Sequence, residues 1–500
     1  MKIIKLFKIL NENLITKSYF IIFFMILGSF LEMVGISLIL PLLTILADFD
    51  GAEKYFYYLN FFFDTENLSH SEILFKTCII IGLVFLGKNL FLTYLNFIQV
   101  NFIKKFHQLL GKKLIGIYLT RPLNYFLDKN SSSFIRNLST ELTMLSASIM
   151  NYGVIILEIF VLFFIFSFLL IYQFKITIIL MSIFITFILF YFLITRKKID
   201  NWGKQRHDTE ESKIKILKEA LLFIREIRLY NLEKYFTNTF DKSNKKYAVS
   251  MLKHNFLQLT VRYNLEVISV ILILILVNYI NLDQNVSSVI PIIGLYVGSA
   301  FRMLPSLNRI INAFQQIRYI DPIINNFSQN CLNEKNNDIS DKSLNFNFKN
   351  KINFSNVKFQ YEENKLIFNN LNLEFKKGNF IVIIGDSGSG KSTLLDLLAG
   401  FVSPLEGEIL VDETFDINKN SQTWHTKLSY SPQNNIILDD NIINNITLFN
   451  ESIVDNDKLN EAIAISELTE LIKDLPEGLN TKLGELGNRF SGGQKQRLGI

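Results

Sequence analysis

Gly385-Asp386-Ser387-Gly388-Ser389-Gly390-Lys391-Ser392-Thr393 is the stretch whose reading decides what kind of chain this is. It fits the phosphate-loop pattern G-x-x-x-x-G-K-[ST]. The apolar run Asn379–Ile384 before it predicts a buried β-strand, and Thr393–Ala399 after it predicts a helix. Glycines let successive backbone N–H groups curl around a phosphate, and the helix start adds the positive end of its dipole. In that arrangement Lys391 reaches the β- and γ-phosphates and Ser392 ligates Mg²⁺. ATP and Mg²⁺ are therefore the expected ligands. A glycine-rich turn that matched by accident would not carry a strand and a helix on its two sides.

The rest of the chain does not read like the surroundings of a soluble enzyme. Of its 500 residues 49% are hydrophobic, and they are unevenly spread. Up to about Ile320 there are long runs of Phe, Ile and Leu; from about Asn325 onward the pattern is that of an ordinary soluble α/β domain. Two cysteines, Cys78 in an apolar run and Cys331 in a polar one, leave no disulfide framework. Lys2, Lys5, Lys8 and Lys17 precede the first apolar run without a small-residue cleavage site, so that run reads as a retained helix. The expected organisation is a membrane domain over residues 1–324, a linker over 325–342 with six asparagines, and a nucleotide domain over 343–500. Nucleic acid is not among the expected partners.

Six apolar stretches are long enough to cross a bilayer, which needs about 20 residues: Ser18–Ile45, Ile73–Val100, Ile149–Tyr172, Ile176–Thr195, Leu257–Ile280 and Val289–Ile311. The third and fourth form a tight hairpin around Gln173–Lys175. Lys104, Lys105, Lys112, Lys113, Arg121, Lys129 and Arg136 fill the loop after the second stretch, and Lys197–Lys253 is more basic still. The alternate loops Ala47–Glu72 and Asn281–Ser288 hold a single basic residue, Lys54, so the positive-inside rule places both termini in the cytoplasm. The run through Ile214–Phe236 reads as an amphipathic helix suited to touching a cytoplasmic domain. Tyr55–Phe63, aromatic almost throughout, reads as a short helix on the outer membrane surface.

About a hundred residues past the phosphate loop comes Phe490-Ser491-Gly492-Gly493-Gln494. At that distance it resembles the signature motif of ABC transporter ATPases, with Phe490 where leucine is usual. Tyr361, in VKFQY, matches the family's adenine-stacking aromatic, and Gln433, in SYSPQ, its Q-loop glutamine. The resemblance implies an exporter-type half-transporter: an all-α six-helix membrane domain followed by an α/β phosphate-loop domain. It also implies that Lys391 and Gln433 serve catalysis and that Ser392 and Gln433 meet Mg²⁺. Each ATP would lie between the phosphate loop of one copy and Ser491, Gly492, Gly493 and Gln494 of another, so a homodimer is expected. The family's next elements, an Asp–Glu strand end and a later His, are expected beyond Ile500, and the chain as given reads as an incomplete copy. Ile409–Glu413 and Ile436–Asp440 look like that strand end but precede the signature, and are not expected to hold Mg²⁺.

The apolar stretches also carry charge, at Glu32, Lys88, Glu158, Arg262, Glu266, Arg302 and Arg309. A charge at the bilayer centre costs at least roughly 2.5–3.5 kcal/mol, so these side chains should face a cavity or one another. Arg302 and Arg309, seven apart, share a helix face, and Lys88 and Arg302 lie at similar depth. Two readings stand: internal ion pairing, with Arg262 and Glu266 the obvious i,i+4 pair, or a cationic path for an anionic substrate. Leu31–Asp48 and Phe301–Ile311 resemble the matching stretches of bacterial flippases that carry lipid-linked oligosaccharide for protein N-glycosylation. That resemblance implies an inner-membrane flippase, with Lys88, Arg262, Arg302 and Arg309 meeting a lipid pyrophosphate. A peptide, drug or lipid exporter on the same scaffold, and a non-hydrolysing ATP-binding membrane subunit, are the alternatives.

Overall fold

The computed structural model describes residues 12–47, 68–127, 129–279, 286–332, 346–361, 365–433, 437–449 and 455–500, with isolated positions between them. Most of the aromatic segment Tyr55–Phe63 lies outside the described residues. The chain divides into two compact units, Met1–Ser340 and Asp341–Ile500.

The first unit is helical. Its main elements are α1 (Glu12–Ser37), α2 (Ile39–Ala47), α3 (His70–Leu119), α4 (Leu142–Tyr172), α5 (Phe174–Leu222), α6 (Ile224–Leu229), α7 (Glu233–Tyr279), α8 (Val286–Tyr319) and α9 (Asp321–Leu332). Among the described residues five helical segments are long and apolar enough to cross a membrane; α8 follows as a further 34-residue helix. The first span bends between α1 and α2 at Leu38, where Pro41 has no N–H to give the carbonyl of residue 37. Gln173 alone separates α4 from α5, so the hairpin is as tight as its sequence implies.

Within the spans, Val161, Ile165, Val261, Leu265, Leu295, Met303 and Leu307 form one buried cluster. Phe20, Phe23, Leu83, Leu90, Phe97, Phe190 and Leu193 are exposed. Such a surface is out of place in water and ordinary in lipid, where helices associate by close packing more than by escape from solvent. Gly203 shows that packing: a Cβ there would lie 2.4 Å from the Tyr319 carbonyl oxygen, so α5 and α8 approach at backbone distance. Where α3, α4 and α5 continue past the apolar stretches, Phe106, Leu110, Leu114, Leu142, Leu145 and Ile199 pack with Tyr319, Ile323 and Phe327.

Two expectations are corrected here. The polar linker does not begin at residue 325: α9 continues to Leu332, because Ile323, Ile324 and Phe327 are buried at helical spacing despite the asparagines between them. The run Ile214–Phe236 is not one helix. It breaks at Phe223, forms α6, and turns at Tyr230–Leu232 before α7. Asn231 supplies the left-handed turn with φ +54°, a conformation asparagine tolerates.

The second unit is built on a four-stranded antiparallel sheet of β1 (Lys351–Gln360), β2 (Leu366–Lys376), β3 (Glu406–Val411) and β4 (Phe415–Asp416), in the order β2-β1-β3-β4. Ile352, Phe354, Val357 and Phe359 alternate inward along β1 and meet Leu394 and Leu397 of α10 (Lys391–Leu398), with Trp424 closing the core. The Trp424 indole N–H donates to the Leu398 carbonyl at 2.8 Å, tying down the end of α10. The expected strand Asn379–Ile384 is a correction. Its six residues have no strand assignment and are exposed, Phe380 by 94%. Their hydrophobicity suits a central strand, but a strand needs a neighbour's ladder, and among the described residues none pairs with it.

Candidate nucleotide site and membrane charge cluster

The phosphate loop leads directly into α10, and its glycines do different work. Gly390 is the N-cap with φ +94°, and a Cβ on it would come within 2.9–3.0 Å of Ile367 and Phe368 on β2. The close fit against β2 therefore requires glycine there. Gly385, Asp386, Ser387, Gly388 and Ser389 stand exposed, and the Ser389 N–H closes the turn onto the Asp386 carbonyl at 3.2 Å. Lys391 Nζ donates to the carbonyls of Gly385 (2.7 Å) and Asp386 (2.6 Å), so the ammonium folds back over the loop it would serve. Ser392 is exposed and Thr393 buried, placing the first hydroxyl outward and the second in the core. First-turn amides of a helix lack intrahelical acceptors. An exposed glycine-rich loop that leads into a helix N-terminus and carries an ammonium fits a polyphosphate.

Tyr361 sits just past β1 and is oriented by two contacts. Its ring meets Phe359 edge-on at 4.9 Å, and its hydroxyl donates to Asp396 Oδ2 at 3.3 Å. Because Asp396 lies five residues after Lys391 on α10, the same helix positions the phosphate loop and the aromatic ring. Burial raises the Asp396 carboxyl, partly opposed by the bond from Tyr361. Sequence reasoning missed Asp396; its place on the helix following the loop was the available signal.

Gln433 is exposed in an irregular segment. Two residues later Asn435 Nδ2 donates to the carbonyls of Gln496 (3.2 Å) and Lys495 (3.5 Å), joining this segment to the helix Gly492–Leu498. Ser491 caps that helix reciprocally: its Oγ accepts from Gln494 N–H at 3.3 Å, while its own N–H donates to Gln494 Oε1 at 2.8 Å. Gly492 and Gly493 are exposed, and a Cβ on either would meet nothing within 4 Å. Phe490 is buried with Ile437, Ile442 and Leu483, so the large ring in place of leucine is accommodated as core. Among the described residues no hydrogen bond or ion pair joins the signature turn to the phosphate loop.

The two rejected acidic motifs are accounted for structurally. Asp412 accepts the backbone N–H groups of Lys349 (2.6 Å), Asn350 (2.7 Å) and Lys351 (2.9 Å). Asp440 Oδ1 accepts from Asn441 N–H at 2.7 Å and Asn444 Nδ2 at 3.0 Å. Both carboxylates organise turns.

In the membrane unit the charges converge. Glu32 Oε2 accepts from Lys88 Nζ and Oε1 from Arg302 Nη2, each at 3.0 Å. Arg302 also lies 3.9 Å from Glu158, whose other oxygen pairs with Arg309 Nε at 2.6 Å. The chain Lys88–Glu32–Arg302–Glu158–Arg309 thus links α1, α3, α4 and α8, with three cations to two carboxylates. Lys88, Glu32 and Glu158 are buried, whereas the Arg309 side chain is 44% exposed. The shared face of Arg302 and Arg309 and the common depth of Lys88 and Arg302 are both present. Arg262 does not join: it pairs with Glu266 at 2.8 Å on an exposed stretch of α7, where i,i+4 spacing supplies a partner on its own helix.

The family profile described as the ABC transporter transmembrane region matches residues 18–293, and the ABC transporter profile matches residues 368–500. The chain belongs to the ABC transporters. Among similar proteins, the alpha-hemolysin translocation ATP-binding protein HlyB of Escherichia coli O6:H1 is 25% identical over 404 residues, covering 78% of this chain and 55% of HlyB. The glutathione/L-cysteine transport system ATP-binding/permease protein CydC of Bacillus subtilis is 42% identical over 130 residues, covering 26% of this chain and 23% of that one. This ABC transporter chain spans about half the length, or less, of such relatives. A solved bacterial Atm1-family ABC exporter with ATP bound shares its fold, with a TM-score of 0.75 at 17% identity over 97% of this chain and 83% of the other.

Proposed function

We propose that this chain is one half of an ATP-driven exporter that works as a pair of copies in a bacterial inner membrane, with both termini cytoplasmic. We further propose that it moves an anionic amphiphile of the lipid-linked oligosaccharide type. The observation that carries the substrate class is the membrane charge cluster. It joins four helices and holds one cation more than its carboxylates neutralise, with guanidinium groups at two of three positions. A pyrophosphate headgroup would supply the missing negative charge, and guanidinium forks suit its paired oxygens.

On the nucleotide side, Lys391 and the loop amides would hold the β- and γ-phosphates, Tyr361 would stack on adenine, and Ser392 and Gln433 would meet Mg²⁺. When bound, that ion neutralises charge developing on the phosphates. Ser491 with the Gly492 and Gly493 amides would complete the site of a second copy. The names of relatives point to other cargoes, a hemolysin and small thiols among them, so the test must discriminate. Flipping of a polyisoprenyl-pyrophosphate oligosaccharide is measured in proteoliposomes alongside uptake of peptides. Arg302→Ala with Arg309→Ala should abolish flipping while ATP binding persists, and Arg302→Lys should restore it only in part. Normal flipping by the double variant, or transport of peptides instead, would overturn the substrate reading.

A further inference from the structure

A second site lies in the same membrane unit, at the inner ends of the spans. A cavity of about 690 Å³ opens between α1, α3 and α4, floored by Asp321 and Ile324 of α9. Its walls are mostly apolar, Ile21, Met25, Phe102, Ile149 and Ile156 among them. The volume falls within the roughly 300–1,000 Å³ typical of sites that enclose most of a ligand. One wall residue is anomalous. Gln99 is buried, with 8% of its surface exposed, and among the described residues its Nε2 has no hydrogen-bond partner. An unsatisfied buried amide is costly, so such a group marks a place where an acceptor belongs.

Its depth identifies the acceptor. α3 runs inward from His70 and its apolar stretch ends at Val100, so Gln99 lies at the inner edge of the hydrocarbon, where glycerol ester oxygens reside. Met25 and Ile156 line the deeper part, Tyr19 lines the rim, and the neighbouring Phe20 and Phe23 are exposed. We infer that this cavity holds one acyl chain of an inner-leaflet glycerophospholipid, its ester or phosphate oxygen accepting from Gln99 Nε2. The inference needs the chain to span a membrane but is independent of what it transports. Along the same faces of α1 and α3, Glu32 is seven residues from Met25 and Lys88 eleven from Gln99. At 1.5 Å per residue the charge cluster lies roughly 10–17 Å farther toward the outer face, and the apolar slot ends before it.

The test uses the full chain in vesicles of phosphatidylethanolamine and phosphatidylglycerol doped with a phosphatidylcholine whose acyl chain carries a diazirine. After irradiation, adducts are mapped by peptide mass. Adducts should concentrate on Met25, Gln99 and Met150. Gly153→Leu projects a side chain from the wall, since a Cβ there lies 3.2 Å from Met25 Cε and 4.0 Å from Gln99 Oε1. It should reduce these adducts at least fivefold. Gly82→Leu, whose Cβ meets nothing within 4 Å, should leave them unchanged. Gln99→Leu, which keeps the packing but removes the donor, should reduce them about threefold and serves if Gly153→Leu does not fold. Equal labelling in all variants would overturn the site. So would displacement by added lipid-linked oligosaccharide, which would make it a substrate site, or a disulfide between copies of Met150→Cys, which would make it an interface.

Discussion

Changing Glu32 to glutamine should damage this protein far more than removing the arginine beside it. Glu32 serves Lys88 and Arg302 at 3.0 Å each; Glu32 and Lys88 are buried, while the Arg302 side chain is 21% exposed. The cluster holds three cations and two carboxylates. Glu32→Gln leaves three cations against one carboxylate and deprives Lys88 of its acidic partner. Breaking a buried pair in this way costs about 3–5 kcal/mol, because the surviving charge is stranded. Arg302→Gln does the opposite. It removes the bridging cation and leaves Lys88–Glu32 and Arg309–Glu158 as two balanced pairs, so the expected cost is on the order of 1 kcal/mol, that of the lost hydrogen bond. Adding Lys88→Met to Glu32→Gln should return part of the loss, with a coupling of about 0.5–3 kcal/mol. The assay is unfolding of purified protein in mixed detergent and dodecyl sulfate micelles, run as a complete cycle with flipping measured in parallel. If Arg302→Gln destabilises as much as Glu32→Gln, all three cations are structural and none is in excess for a substrate anion. If Glu32→Gln is silent, the cluster is not desolvated and Glu32 does not hold the two cations in place.

Lys391→Ala should abolish tight Mg-ATP binding by calorimetry, since its ammonium is the cation at the mouth of the loop; unchanged affinity would remove the nucleotide-site assignment. Gly203→Ala should destabilise the membrane unit by about 1–3 kcal/mol, because the added Cβ would lie 2.4 Å from the Tyr319 carbonyl and neither backbone can yield cheaply; an unaltered unfolding midpoint would contradict that approach. For Asp412, desolvation raises the carboxyl, but the N–H groups of Lys349, Lys351 and Asn350 more than offset it and hold it below its usual range. The stability it contributes is therefore complete above the unfolded value near about 4 and is lost as pH falls through the lower folded value. Asp412→Asn should flatten this acid limb in a pH series of melting curves, and an identical limb would show the contacts to be inconsequential.

The features legible in the sequence were those whose physics is local. Apolar runs longer than a bilayer is thick identify spans without reference to partners. The nine residues from Gly385 to Thr393 carry their own phosphate cradle, and the capping of Ser491 by Gln494 is written within four positions. Seven-residue spacing alone places Arg302 and Arg309 on one face. Where local physics is ambiguous, neighbours in space decide. Ile323, Ile324 and Phe327 extend α9 through a polar composition, because burial in the cluster they share with α3, α4 and α5 outweighs the asparagines. Asn379–Ile384 has the hydrophobicity of a central strand, yet no neighbour among the described residues supplies its ladder. Tertiary structure alone settled the pairings. Glu32 and Arg302 are 270 positions apart, and nothing in either segment announces the other. Arg262 and Arg302 look alike as intramembrane arginines; only packing puts one on the surface beside its i,i+4 glutamate and the other between two buried carboxylates. The energy of a buried charge depends on what surrounds it, and those surroundings come from helices far apart in the chain.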